Sequence, residues 1–348
     1  MVETKTALVA GGLGVIGRAL VQHFAEREGW EVVALSRRAP DFETRARYLA
    51  VDLLDAAATE AALARLGEVT HLFYAAYQEK RDPAEQVSVN LTMLRNLVRA
   101  AGARAPKLRR IVLYEGVKYY GVHLGPFKTP AREDDPRHMP PNFYYDQEDW
   151  LRAEAAGKSW DMVALRPDVV CGFAVGNPMN LTLVIAVYAA ISKELGLPLR
   201  FPGTAYHTLA QVTDAAQLAR ASEWAALAAP SGEAFNVTNG DIFRWEQLWP
   251  SFARAFGMEL APPQAIPLAE FMRDKGPVWQ RIAARHKLAP YAYDTIAAWG
   301  FGDFIFNCGY DVISSTTKLR QAGFAETVDS EAMFLRMFDE FRRRRVIP

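Results

Sequence analysis

Short apolar runs of strand length alternate with longer stretches of helical periodicity through the first 115 residues. In TALVAGGLGVIGRALVQHFAEREG, the run Ala7 to Ala10 passes through glycines into Val15, Ile16, Leu20, Val21 and Phe24, which are spaced as one face of a helix. EVVALSRRAP supplies a second strand ending at Leu35, ARYLAVDLLD a third, VTHLFYAAY (69–77) a fourth and LRRIVLYEG (108–116) a fifth. Helical AEQVSVNLTMLRNLVRAAGA lies between the last two. Such alternation predicts an α/β fold: a doubly wound parallel sheet of Rossmann type, covered by helices on both faces. DMVALRPDVVCG reads as a sixth strand. RFPGT, with Gly203, and the helical VTDAAQLARASEWAAL bring the chain back to the sheet edge. AFNVTNGDIFRW reads as strand, turn and helix start, with Asn239-Gly240 at the turn. From about residue 245 onward, apolar helical segments carrying Trp245, Trp249, Trp279 and Trp299 predict a smaller, mainly helical lid, with most of these rings in its core.

Charge narrows the function classes. The 348 residues hold 40 Lys plus Arg and 40 Asp plus Glu, a formal net charge of zero. Nucleic-acid binders carry a basic excess to meet phosphates, so no nucleic-acid partner is expected. The run Arg342 to Arg345 closes a helical stretch, where cations complement the negative end of the helix dipole. Cys171 and Cys308 are far apart and lack metal-ligand spacing, as befits a reducing cytoplasm. No His or carboxylate cluster has the spacing of a metal site. An acidic Glu3 and early glycines argue against a signal peptide. The longest later apolar run, LTLVIAVYAAI at 181–191, is too short to cross a bilayer. A soluble cytoplasmic protein is expected, and a homodimer is allowed.

Gly11, Gly14 and Gly17 stand in a G-x-x-G-x-x-G spacing between a strand and a helix. In that context glycine permits a tight turn and close backbone approach of a pyrophosphate to the helix N-terminus, where Val15 and Ile16 begin the first turn. The second strand ends in Ser36, Arg37 and Arg38, with no acid for an adenosine ribose diol. A hydroxyl and two guanidinium groups suit a 2′-phosphate, so the cofactor predicted is NADPH. Asp52 and Leu53 end the third strand where adenine would lie, and Ala75 ends the fourth. Ligands of such sheets sit beyond the strands' carboxyl ends, which places the chemistry after strands four and five.

The segment after strand five departs from the common pattern. Ordinary short-chain dehydrogenases polarise a carbonyl with Ser or Thr there and donate a proton from the Tyr of a Tyr-x-x-x-Lys pair. Here the serine region reads EGVKYYG, with Lys118. The helix that should carry the pair opens NFYYDQEDW, so Glu148 and Asp149 follow Tyr144 and Tyr145 at the lysine's spacing. From the residues alone either tyrosine could serve. Glu148 and Asp149 read as acids favouring the early turns of their helix. Tyr119 and Tyr120 read as packing, and His123, His138 and His207 as loop residues.

The chain resembles the progesterone 5β-reductase/iridoid synthase-like enone reductases, an atypical branch of the extended short-chain dehydrogenase/reductases. The resemblance is carried by GVKYYGVHLGPF, NFYYDQED, RPDVVCGFAVGNPMN, RFPGT, FNVTNGDIFRWEQLWP, VWQRIA, WGFGDFIF and RRRRVIP, in matching order along nearly the whole chain. It implies NADPH-dependent reduction of an activated C=C bond in a small apolar enone or enal, with Lys118 and Tyr144 as the catalytic pair. It also implies nicotinamide contacts around Pro167 and Val169 and a pocket position at Phe127. Phe301, in WGFGDFIF, is a further pocket candidate. Tyr119 stands where the family commonly has His, and CGFAVGNPMN replaces a more aromatic loop. The cofactor domain is expected over 1–175, with about 205–240 returning to it, and the substrate-binding lid over 176–204 and 241–348. The proline-rich GPFKTPAREDDPRHMPPN reads as a mobile flap.

Chemistry points the same way as the resemblance. Hydride arriving at the β-carbon of an unsaturated carbonyl collects negative charge on oxygen, where a phenol with an ammonium nearby would stabilise it. The ammonium is also expected to lower the phenol's pKa. Two other readings stay open. An NAD-dependent nucleotide-sugar epimerase or dehydratase would need the Tyr-x-x-x-Lys pair. A non-enzymatic NADP sensor would need the glycine turn alone.

Overall fold

A computed structural model describes residues 4–40 and 42–348; Glu3 lies outside the described residues. Seven parallel strands form the central sheet: β1 (Lys5–Ala10), β2 (Trp30–Ser36), β3 (Arg47–Ala50), β4 (His71–Tyr74), β5 (Arg110–Tyr114), β6 (Asp161–Pro167) and a late edge strand, Ala234–Val237. In space the late strand is followed by β6, β5, β4, β1, β2 and β3. All seven correspond to apolar runs visible in the sequence. They register as such because both faces of a parallel sheet are covered, so alternation is replaced by continuous apolar character.

Along β1, Ala7 and Val9 face one layer and Leu8 and Ala10 the other. The first layer packs against Leu20, Val21 and Phe24 of α1 (Val15–Glu26) and Leu218 and Ala221 of a later helix, Ala215–Leu227. The second packs against Leu94, Leu97 and Val98 of α2, here the 22-residue helix Pro83–Arg104, and Leu151 of α3 (Phe143–Ala155). Caps are supplied locally: Asp82 accepts from Ala84 N with Pro83 in the first turn, and Asn142 accepts from Tyr144 N at 3.1 Å. A short helix absent from the sequence reading, Ala56–Leu63, connects β3 to β4.

The helical remainder has its own core. The helix Leu181–Glu194 is buried on nearly every side, which explains an eleven-residue apolar run that crosses no membrane. No helix among the described residues is long and apolar enough to do so. Around it pack Trp245, Trp249, Trp279, Phe306 and Phe334; Trp299 is half-buried at the edge of the same cluster. Arg342 pairs with Asp339, and Arg343 and Arg344 with Glu340, at the end of the last helix.

The segment 125–142 is held down rather than left as a free flap. Ala131 N donates to Ile313 O and Ser315 N to Ala131 O, each at 2.8 Å. Arg137 makes a two-pronged contact with Asp149 (2.7 and 2.8 Å), and Arg166 Nη1 donates to Glu133 O at 3.0 Å. None of its residues lines the cleft described next.

Candidate active site

One cleft runs along the carboxyl ends of β1, β2, β4, β5 and β6 and beside later helical residues such as Trp245, Phe301 and Ile305. The glycine turn forms one end. Gly11 has φ +79°, and a methyl group there would sit 2.6 Å from the Ala75 carbonyl oxygen. At Gly17 a methyl would lie 2.1 Å from Gly11 O, so this glycine does not line the cleft; it lets α1 close on the turn. Gly14 precedes α1 without a side-chain cap and no acid occupies the first turn. The N–H groups at the start of α1, over Val15 and Ile16, therefore present the positive end of the helix to the cleft. That cradle fits a pyrophosphate.

Ser36, Arg37, Arg38, Asp52, Leu53 and Ala75 all line the same end. Ser36 Oγ donates to Arg38 O, tightening the turn. Both arginines are exposed, and among the described residues neither has a carboxylate partner. Asp52 accepts from Leu54 N at 3.0 Å, shaping the end of the third strand.

At the other end stand Lys118, Tyr144, Pro167, Val169 and Phe301. Lys118 lies in a 3₁₀ turn, Val117–Tyr120, entered through a fully extended Gly116. Its carbonyl accepts from Asn142 Nδ2 at 2.9 Å, with His138 Nε2 3.1 Å away, so the cap of α3 also fixes the lysine's turn. His138 is thus part of the support for the site, not only a loop residue; its sequence neighbourhood carries no sign of that contact. Asn142 and Lys118 are 24 positions apart.

The two tyrosines divide. Tyr145 Oη donates to Tyr119 O at 2.6 Å and accepts from His138 N at 3.2 Å, away from the cleft. Tyr144 faces the cleft with no partner on its hydroxyl among the described residues; the hydroxyl lies 3.2 Å from where a side chain on Gly116 would begin. A Cβ at 116 would also lie 3.5 Å from the Pro167 carbonyl oxygen, so a serine there would crowd the phenol rather than fill a gap. Phe127 is set elsewhere: it packs with Tyr119, Tyr120, Ala131 and Tyr145 behind the Lys118 turn, because the anchored 125–142 segment holds it there. Phe301 lines the cleft with Phe304 and Ile305, one face of the helix Trp299–Phe306.

Two electrostatic expectations change. Burial raises the Tyr144 phenol above its ordinary range, and Glu115 and then Glu79 push the same way. The Lys118 charge does not lower it; that charge is felt at His123, which burial and then Lys118 push down to about 4. Glu148 is no solvated helix acid. It is 2 % exposed and ion-paired with Arg166 (3.2 Å), Arg152 (2.6 Å) and Arg137 (3.2 Å).

Two buried carboxyls of the cleft went unnoticed in the sequence, Glu115 and Asp168. Each ends or follows a strand that faces the ligand, and an acid inside an apolar strand end was the available signal. Asp168 Oδ1 accepts from Val169 N at 2.7 Å while Oδ2 is buried without a partner; burial pushes this carboxyl up to about 7. No group of His, Cys, Asp and Glu among the described residues could hold a metal ion.

Known proteins resemble this chain along nearly its whole length. An (S)-8-oxocitronellyl enol synthase from Camptotheca acuminata is 33% identical, covering 99% of this chain and 93% of its own. A 3-oxo-Delta(4,5)-steroid 5-beta-reductase from Arabidopsis thaliana is 32% identical, again covering 99% and 93%. Among solved structures, the UDP-glucose 4-epimerase of Thermotoga maritima superposes with a TM-score of 0.69 over 97% of this chain and 99% of its own. At 16% identity it shares the fold alone. Residues 49–348 match the PRISE-like Rossmann-fold domain, and the chain belongs to that family.

Proposed function

We propose that this protein reduces the C=C bond of α,β-unsaturated carbonyl compounds with NADPH. The observation that carries the reading is the Tyr144 hydroxyl, which has no hydrogen-bond partner among the described residues and faces a cleft that Lys118 also lines. Full-length relatives named for enol synthesis and steroid 5-beta-reduction support the same class of acceptor. The epimerase reading requires a lysine one turn after the tyrosine, and Glu148 occupies that position.

When bound, NADPH supplies the hydride that reaches the β-carbon. The chain's part is to hold and to stabilise. The turn through Gly11 and Gly14, closed on α1 by Gly17, and the first N–H groups of α1 would receive the pyrophosphate; Ser36, Arg37 and Arg38 would receive the 2′-phosphate; Asp52, Leu53 and Ala75 would flank the adenosine side. Pro167 and Val169 border the nicotinamide. Tyr144 donates a hydrogen bond to the carbonyl oxygen, and its raised pKa keeps the phenol protonated across the physiological range. One such donor, aimed where charge develops, is worth roughly 3 kcal/mol of barrier. Lys118 adds positive potential without drawing the phenol's proton away. Phe301 and Ile305 supply an apolar wall for the acceptor.

The test is direct. The purified protein should oxidise NADPH in the presence of 2-cyclohexenone or progesterone, releasing the saturated ketone. NADPH consumption with no enone reduced, or a saturated alcohol formed from a simple ketone instead, would overturn the assignment.

A further inference from the structure

We propose that Glu115 is a positioning residue for this reaction: the oxyanion site beside Tyr144 works while Glu115 is neutral and is switched off by its carboxylate form. The inference rests on the enone-reductase reading above. Glu115 immediately follows β5 and precedes Gly116, and it lines the cleft at 4 % exposure. The register that pairs Tyr114 with Leu165 places it beside Arg166 of β6. Its Oε2 accepts from Arg166 Nε at 2.6 Å, while Oε1 is buried with no partner. A carboxylate oxygen left so is costly, and a proton on it relieves the cost.

Arg166 is shared, and the sharing is unequal. Its other nitrogens serve Glu148 (3.2 Å), the Tyr120 hydroxyl (3.2 Å) and Glu133 O (3.0 Å). Glu148 has Arg152 and Arg137 besides, so three guanidinium groups hold it and only one, already divided, holds Glu115. Of two carboxyls competing for Arg166, Glu148 keeps its charge and Glu115 takes the proton. The titration directions agree: burial lifts Glu115 towards about 7 against the pull of Arg166, with Glu148 lifting it further. Glu148 is drawn down despite its burial, by Arg166 and Arg152.

The groups facing Glu115 are Arg166 from β6, Glu148, Arg152 and Tyr144 from α3, and Tyr119 and Tyr120 from the 3₁₀ turn. Tyr144 connects it to the chemistry: both residues line the cleft, and the phenol lies 3.2 Å from where a side chain on Gly116, the residue after Glu115, would begin, so among charged groups Glu115 weighs most on that phenol. Ionised, Glu115 sets a negative charge against the enolate oxygen that Tyr144 must stabilise. Protonated, it opposes nothing. No proton leaves Glu115 in the reaction; the hydride comes from NADPH and the final proton from solvent.

The experiment measures kcat/KM for 2-cyclohexenone with NADPH across neutral and mildly alkaline pH, using the full chain. The wild type should lose at least about tenfold as Glu115 ionises. Glu115→Gln, permanently uncharged, should vary by less than about twofold over the same range. Asp168 is a second buried carboxyl of the cleft with a similar upward shift, but its only other influence is the Val169 amide. Glu148→Gln therefore discriminates: removing that charge leaves Arg166 to Glu115, and the fall should move to lower pH. Asp168→Asn should leave the fall in place, whatever it does to the rate. Melting curves establish which variants fold, and the Glu148→Gln arm decides if Glu115→Gln does not. A Glu115→Gln profile that keeps the wild-type fall, or a Glu148→Gln midpoint that stays or rises, refutes the role of Glu115. Wild-type turnover with a flat profile refutes it too, while leaving enone reduction standing. Absence of any enone turnover would instead remove the reaction itself, and this inference with it.

Discussion

Adjacent tyrosines on a helix point about 100° apart, so Tyr144 and Tyr145 cannot both face one ligand. Periodicity could not choose between them, because the choice is made by contacts distant in sequence: the Tyr119 carbonyl takes the Tyr145 hydroxyl, and none of the described residues takes that of Tyr144. The two should therefore fail in different ways. Tyr144→Phe should lower kcat for 2-cyclohexenone by on the order of a hundredfold with little change in melting temperature, since it removes a donor used only at the charged oxygen. Tyr145→Phe should keep most of the turnover and lose about 1 kcal/mol of stability, read from urea denaturation, because a buried donor–acceptor pair is lost. Equal catalytic losses in both would contradict the division. Lys118 teaches a similar lesson: its place beyond the fifth strand was legible, but that its charge also acts on His123, five positions on, was not.

The elements proposed to hold a dinucleotide were the most legible part of the molecule. The strand, the glycine turn and the start of α1 are contiguous in sequence, so their geometry is local: Gly17 is demanded by a clash within that one motif, and Gly11 by its positive φ as well as by the Ala75 carbonyl. The end of β2 is equally local. With Ser36, Arg37 and Arg38 all at the cleft, replacing both arginines by Ala should weaken NADPH at least about tenfold while NADH changes little. The asymmetry arises because charge-assisted bonds to the 2′-phosphate are lost in one cofactor only. Fluorescence titration of each cofactor checks it, and parallel weakening would refute the 2′-phosphate assignment. The opposite case is α3. Its acids at 148 and 149 looked like helix-terminal charges, yet one turn after Tyr144 the buried face carries Glu148 into a pair with Arg166, 18 positions on. Only strand pairing reveals that Glu115 is opposite Arg166, 51 positions apart. Phe127, likewise, was placed by the two bonds Ala131 makes to a strand-like stretch near residue 314.

At the scale of the whole molecule, Arg166 ties together the sheet, α3, the Lys118 turn and the 125–142 segment. It is 2 % exposed, stacks 3.4 Å over the Tyr119 ring and contacts both Glu115 and Glu148. Buried pairs of this kind add little net stability compared with an apolar substitute for all members, but removing one partner strands the others. Arg166→Met should therefore cost about 3–5 kcal/mol at pH 7.5. The pH dependence has a definite sign. The folded pKa of Glu148 is depressed below its ordinary 4.5, so its contribution is full above that value and is lost as pH falls through the depressed one. Glu115 runs the other way: its folded pKa is raised, so its ionisation erodes stability as pH climbs from 4.5 towards about 7. Removing Arg166 withdraws the charge that favours the ionised form of both carboxyls. The gap between wild type and variant should then be widest at neutral to alkaline pH and close in acid, where both carboxyls are protonated and no stranded charge remains. Urea midpoints measured from pH 3 to pH 8, about the span of the two titrations, read this directly. A gap independent of pH would show that Arg166 acts by packing against Tyr119 alone, and would detach the ion-pair network from the stability of the fold.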